Sequence, residues 1–269
     1  MICFPNAKIN LGLHVLSKRS DGYHSIETVF YPVDLYDALE IVPTMGGETT
    51  FSQTGIQVDG KPEDNLVMKA YHLLKKDFDL PEAAIYLRKQ IPVGAGLGGG
   101  SSDAASMIKL LNDFAALNLS VEQMEAYASR IGSDCPFFIQ NIPVYAEGTG
   151  TVFSPAGISL QAYHIVVEKP PVSVSTKEAY AQVKPQQPVA PLKDIIRLPI
   201  NEWKNHLVND FEPVVFAQYP EIGEIKQRFY SEGAIYASMS GSGSAVFGIF
   251  EKTRHSSSSR EGFMNKLKD

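Results

Sequence analysis

The stretch Pro92-Val93-Gly94-Ala95-Gly96-Leu97-Gly98-Gly99-Gly100-Ser101-Ser102 constrains the fold more than any other part of the 269-residue chain. Glycine between two regular elements is entropically unfavourable, so such a run marks backbone that turns sharply or approaches another group closely. Before it, residues 84–91 alternate like a strand; after it, Ala104, Ala105, Ile108, Leu111 and Phe114 recur at helical spacing. Ser101 and Ser102 read as N-caps of that helix. A helix N-terminus offers unpaired N–H groups and the positive end of a dipole, so an anion is expected there, phosphate above all.

Spacing separates the possible phosphate loops. Gly94, Gly96 and Gly99 satisfy the G-x-G-x-x-G dinucleotide pattern, but that pattern needs an acidic residue closing a second strand ~20 residues on. Asp113, the carboxylate near that offset, falls inside the helical run 107–116. A Walker loop needs a lysine after its last glycine, whereas Gly100 is followed by Ser101. A flexible linker would lack the ordered flanks.

A net charge of −6 without a dense Lys/Arg cluster argues against nucleic acid or an anionic membrane surface as partner. At 44% hydrophobic and 20% charged residues the composition is that of a globular protein. No apolar run approaches the ~20 residues of a membrane span, so a cytoplasmic protein is expected. Cys3 and Cys135 have no C-x-x-C spacing and are expected to be reduced thiols.

Residues 7–16 alternate Ile9, Leu11, Leu13 and Val15 on one face, a half-buried strand with Lys8 and Asn10 together on the other. Residues 26–33 and 38–42 read as further strands. Asp64 or Asn65 can cap a helix bearing Leu66, Ala70, Leu73 and Leu74, and Ser120-x-x-Gln123 is a capping box. This grouping of strands and helices indicates α+β rather than a regular βαβ series. Composition changes at Ser154-Pro155-Ala156-Gly157, giving expected domains 1–155 and 156–269. In the second, Ser175-x-x-Glu178 opens a short helix, residues 221–229 form another, and Ser240-Gly241-Ser242-Gly243-Ser244 joins two strands. His255-Ser256-Ser257-Ser258-Ser259 is low-complexity, a poor helix start.

Three features in order, Pro5-Asn6-Ala7-Lys8-Ile9-Asn10, the glycine loop and Ser240–Ala245, resemble the three motifs of the GHMP kinases, small-molecule kinases named for galactose, homoserine, mevalonate and phosphomevalonate. Asp21-Gly22-Tyr23-His24, Glu63-Asp64-Asn65-Leu66 and Gly132-Ser133-Asp134-Cys135-Pro136 are similar to the branch acting on a cytidine diphosphate sugar alcohol in the non-mevalonate isoprenoid pathway. The resemblance implies two α+β lobes, the first like ribosomal protein S5 domain 2 and the second ferredoxin-like. It also implies ATP as co-substrate, Mg²⁺, and phosphorylation of the acceptor's 2-hydroxyl.

On this resemblance Asp134 is the general base and Lys8 the cation that keeps it ionised and offsets transition-state charge. The loop Pro92–Ser102 wraps the ATP phosphates, Ser101 or Ser102 is able to meet the metal, and Asn65 and Lys89 contact adenine. No direct metal ligand is assigned. Asn10 positions the acceptor, Tyr23 and Tyr180 stack on its base, His24 binds the base's edge, and Gly241 and Ser242 contact the acceptor or its diphosphate. Cys135 is a small buried neighbour of the base. No nucleic acid or membrane partner is expected, and a monomer or weak homodimer is. The alternatives are a homoserine- or mevalonate-type kinase, whose substrates have no base to stack, a non-catalytic sensor of the same fold, and an oxidoreductase using the glycine loop.

Overall fold

The computed structural model describes residues 1–58 and 60–252. The serine-rich stretch beginning at His255 lies outside them. In chain order the strands are β1 (Ile2–Cys3), β2 (Asn6–Lys18), β3 (His24–Tyr36), β4 (Ala38–Pro43), β5 (Thr50–Gly55), β6 (Ala83–Lys89), β7 (Val144–Glu147), β8 (Val152–Pro155), β9 (Tyr163–Glu168), β10 (Tyr236–Met239) and β11 (Val246–Glu251). The helices are α1 (Leu66–Lys75), α2 (Gly99–Phe114), α3 (Val121–Ser129), α4 (Phe137–Gln140), α5 (Thr176–Gln182), α6 (Leu192–Ile195), α7 (Trp203–His206), α8 (Glu212–Gln218) and α9 (Pro220–Ser231).

Three sheets organise these elements, in the orders β1-β4-β6-β5, β2-β3-β7-β8 and β10-β11-β9. All pairings among them are antiparallel except β5 with β6. The apolar stripes of α1 and α2 close one core over β4 and β6, through Leu74, Tyr71, Ile108 and Leu111 against Leu39, Ile41 and Ile85. Each of these side chains is fully buried, and burial of such groups contributes roughly 1.5–3 kcal/mol apiece before entropy is counted. A second core, through Ile9, Leu11, Trp203, Tyr236 and Phe247, joins β2 to the sheet of β9, β10 and β11.

The expected elements are present, and two details differ. The long strand β2 is buried through Val15 on both faces, not on one. Ile9 and Leu11 pack into the second core and Leu13 and Val15 into a third with Val174, Phe211 and Met239, while Lys8, Asn10 and His14 are buried as well. Alternation reports one wet face only when nothing covers the polar one. The helix after the glycine loop begins earlier than expected, at Gly99, and its N-cap is Gly98 in the left-handed region (φ 69°, ψ 15°) rather than Ser101 or Ser102. Of the two residues expected to cap α1, Asn65 does so, its side chain accepting from the Val67 N–H. The capping box at Ser120 and Gln123 and the Ser175 cap of α5 form as expected.

Among the described residues no helix is long and apolar enough to cross a membrane.

Candidate active site

The glycine loop connects β6 to α2 and is held from both sides. The Lys8 N–H donates to Leu97 O (2.9 Å), and Ala245 N–H donates to Ala95 O (3.1 Å). Ser240 Oγ donates to Gly96 O at 2.8 Å, so the loop between β10 and β11 lies directly on the glycine loop. Gly96 explains one glycine of the run: its φ is +76°, and a Cβ there would sit 2.0 Å from Ser240 O. Gly98 explains another. As the α2 cap it supplies no side chain, so the N–H groups of Gly99, Gly100 and Ser101, which have no intrahelical partner, stay open to an anion. A serine cap would have spent one of them. The Gly96→Ala variant is therefore expected to weaken ATP binding at least about tenfold, since left-handed backbone costs an L-residue ~1–2 kcal/mol before the clash; nucleotide titration by calorimetry measures it.

This loop forms one side of a cleft of about 900 Å³. Lys8, Asn10, Gly96, Ser101 and Asp134 line one region of it, and Tyr23, His24 and Tyr180 line another. Lys8 and Asp134 lie 126 positions apart in the chain, yet Lys8 Nζ is 3.6 Å from Asp134 Oδ2. Lys8 is 4% exposed, donates to Asn10 Oδ1 (2.6 Å), and lies 4.7 Å from the centre of the Phe30 ring. Burial pushes its pKa down, and the Asp134 carboxylate pulls it part of the way back. Asp134, a third exposed at its side chain, faces the cleft from the turn between Gly132 and α4. The arrangement sets a proton acceptor beside a fixed cation at the open end of an anion-binding loop, the equipment for moving a phosphoryl group to a hydroxyl.

Asn10 is itself held: its Nδ2 donates to Thr28 Oγ1 (3.0 Å), and Thr28 donates to Gly12 O. Gly241 and Ser242 line the cleft, and Asn209 Nδ2 fixes their loop by donating to Met239 O and Gly241 O, both at 2.8 Å. Thr176 Oγ1 is hydrogen-bonded to Ser242 Oγ at 2.9 Å. Thr28, Asn209 and Thr176 carry no motif; only their partners reveal them.

At the aromatic end the His24 and Tyr180 rings stack at 4.9 Å between centroids, and Phe211 meets Tyr180 edge-on at 4.8 Å. Partial burial and the nearby Lys18 charge lower the His24 pKa, favouring the neutral ring that can donate and accept. Tyr23 stands at the rim, 67% exposed. Cys135 is buried, and burial raises its thiol to about 11, so it is a space-filling neighbour rather than a nucleophile.

Two expected nucleotide contacts separate. Asn65 is committed as the α1 cap through its Oδ1, and its Nδ2 reaches Gln53 Oε1. Lys89 is 3% exposed and does not face the cleft. Its ammonium is held by Asp37 and by Asp103 Oδ2 (2.8 Å), directly behind Gly99. The adenine contact is implied by the family resemblance; strand alternation instead places Lys89 on the inward face with Ile85 and Leu87, where two carboxylates outcompete a neutral base for its protons. No three His, Cys, Asp or Glu side chains among the described residues converge on a metal site. The oxygen donors at hand, the Ser101 hydroxyl and the Asp134 carboxylate, suit a hard cation held chiefly by phosphate oxygens.

The fold and this cleft define a phosphotransferase for small molecules, and the sequence agrees: residues 65–141 match the GHMP kinases N terminal domain and residues 192–262 the GHMP kinases C terminal domain. The chain belongs to the GHMP kinase family, ATP-dependent kinases of small molecules. It is 58% identical to a 4-diphosphocytidyl-2-C-methyl-D-erythritol kinase of Parabacteroides distasonis over 95% of this chain and 93% of that one. The kinase of the same name from Bacteroides thetaiotaomicron is also 58% identical, over 93% and 92% of the two chains. A crystal structure of 4-(cytidine 5'-diphospho)-2C-methyl-D-erythritol kinase superposes with a TM-score of 0.79 at 32% identity, covering 93% of this chain and 90% of that one. A crystal structure of mevalonate kinase shares the fold, with a TM-score of 0.67 at 12% identity over 99% and 95% of the two chains.

Proposed function

We propose that this chain transfers the γ-phosphoryl group of ATP to the 2-hydroxyl of 4-diphosphocytidyl-2-C-methyl-D-erythritol, a cytoplasmic step of isoprenoid precursor formation outside the mevalonate route. The observation that carries the reading is a single cleft joining the Lys8–Asp134 pair to the His24–Tyr180 stack. A substrate with a hydroxyl at one end and an aromatic base at the other uses both ends. Homoserine and mevalonate would leave the aromatic end without a partner.

In this reading the N–H groups of residues 99–101 and the backbone of residues 92–98 hold the ATP phosphates. Asn10 orients the acceptor, whose hydroxyl lies beside Asp134. The carboxylate takes the hydroxyl proton as the oxygen attacks phosphorus, and Lys8 offsets the charge on the equatorial oxygens. Mg²⁺, when bound, would supply further charge neutralisation, and the Ser101 hydroxyl is the side chain of this loop that would help to hold it. The cytosine stacks between Tyr23 and Tyr180, and neutral His24 reads its edge. At 4.9 Å the His24–Tyr180 stack has no room for a third ring, so binding moves His24 off the Tyr180 face and brings Tyr23 in from the rim.

Release of ADP from Mg-ATP, measured with the cytidyl acceptor, homoserine and mevalonate side by side, tests the reading. Turnover confined to the cytidyl acceptor supports it. Comparable turnover on homoserine or mevalonate overturns it.

A further inference from the structure

Two lysines line the cleft and belong to no motif. Lys18 ends β2 directly opposite His24 in the β2–β3 register. Lys177 lies in the first turn of α5, three residues before Tyr180 and so on the same helix face. Both are exposed, and neither meets a carboxylate of the described residues within ion-pair distance. They come from distant parts of the chain and bring positive charge to the same cleft in a protein whose net charge is −6.

Their place along the cleft is fixed by hydrogen bonds. Ser240 Oγ accepts from the Asn10 N–H, so the Ser240–Ser244 loop stands next to the Lys8–Asn10–Asp134 end. Thr176 is bonded to Ser242, which ties the start of α5 to that loop, and Tyr180, about one turn or 5.4 Å further along the helix axis, reaches His24. The order from reacting end to aromatic end is Asp134, Ser242 with Thr176, Lys177, then Tyr180 with His24 and Lys18. An acceptor lying along this line carries whatever joins its alcohol to its base past Lys177 and up to Lys18.

We propose that Lys177 and Lys18 clamp the diphosphate bridge of the acceptor from two sides and make the cleft selective for a nucleoside diphosphate over the bare nucleoside. The inference rests on the cytidyl reading above. A lysine ammonium is a compact charge on a flexible stem, suited to a diphosphate whose position is set elsewhere by stacking and by the reacting hydroxyl. Neither lysine is needed for the fold, because both are exposed and alanine is at least as good a helix former at position 177.

The test is calorimetric titration of cytidine, CMP and CDP into the wild type, Lys18→Ala, Lys177→Ala and the double variant, with KM for the cytidyl acceptor and for ATP alongside. Each charge-assisted contact to phosphate supports a fold-change of about tenfold, so the preference for CDP over cytidine should fall by that factor in each single variant and further in the double. The affinity for cytidine itself should hold, KM for the acceptor should rise while KM for ATP does not, and Lys177→Arg should restore most of the preference. The CDP preference of the wild type should also weaken with added salt and that of the double variant should not. A CDP-to-cytidine ratio unchanged in the double variant overturns the clamp and leaves the cytidyl reading standing. Failure of the wild type to bind either ligand overturns both.

Discussion

Replacing Asp134 with asparagine is expected to lower kcat for the cytidyl acceptor by roughly a thousandfold, within the range of about 10²–10⁴ that a positioned general base contributes. Asparagine keeps the size and hydrogen-bonding shape of the side chain but cannot accept the hydroxyl proton. The glycine loop is held by Lys8 N–H, Ser240 and Ala245, none of which depends on the carboxylate, so ATP affinity should stay within a few-fold of wild type. Steady-state kinetics together with nucleotide titration separate the two effects; a parallel loss of ATP binding would mean that Asp134 shapes the loop instead of the chemistry. The variant should also show a changed pH profile. Burial already lowers the Lys8 pKa, and Asp134 is the charge that opposes the fall. Without it, Lys8 loses its proton at lower pH. The residual activity should therefore decline on the alkaline side earlier than that of the wild type, and a pH series of kcat reads this directly.

Much of the site was legible because its parts are contiguous. The glycine run reads as an anion loop from backbone physics alone, and the start of a helix after it follows from the spacing of Ala104, Ile108 and Leu111. What periodicity could not supply is convergence. Nothing local to Lys8 says that a carboxylate 126 residues on lies 3.6 Å away; that came only with the family resemblance. Local rules also misled where a general preference met a special purpose. Serine is a better cap than glycine in general, yet here a cap without a side chain keeps the N–H groups open, and Gly98 takes that position. Asn209 and Thr28 had no signal, because each acts by filling the hydrogen bonds of a neighbour that does carry one.

Lys89 is where the structure departs most from what the family resemblance implied, and it carries the largest expected effect on stability. Its ammonium is the cation shared by Asp37 and Asp103, both almost fully buried. Asp37 is well provided for otherwise, accepting from the Gln90 and Ile91 N–H groups (2.5 and 2.9 Å). Asp103 is not: its Oδ1 has no hydrogen-bond partner, and burial, with Asp37 nearby, raises its pKa to about 7 despite Lys89. The Lys89→Met substitution fills similar volume but leaves two carboxylates in a dry space, and breaking a buried pair from one side costs about 3–5 kcal/mol. The cost should depend on pH with a definite sign. Asp103 has a folded-state pKa above its unfolded value of 3.8, so folding takes up a proton and stability from this group falls as pH rises from about 4 to about 7. Removing Lys89 raises that pKa further, so the fall continues above pH 7. Urea unfolding at pH 5 and pH 8 should then show Lys89→Met closer to wild type at the lower pH. Asp103→Asn should abolish the slope while keeping an amide oxygen for Lys89, and the pair Lys89→Met with Asp103→Asn should recover part of the loss at pH 8. An equal deficit at both pH values would mean that the loss is one of packing and that neither carboxylate takes up a proton when the cation goes.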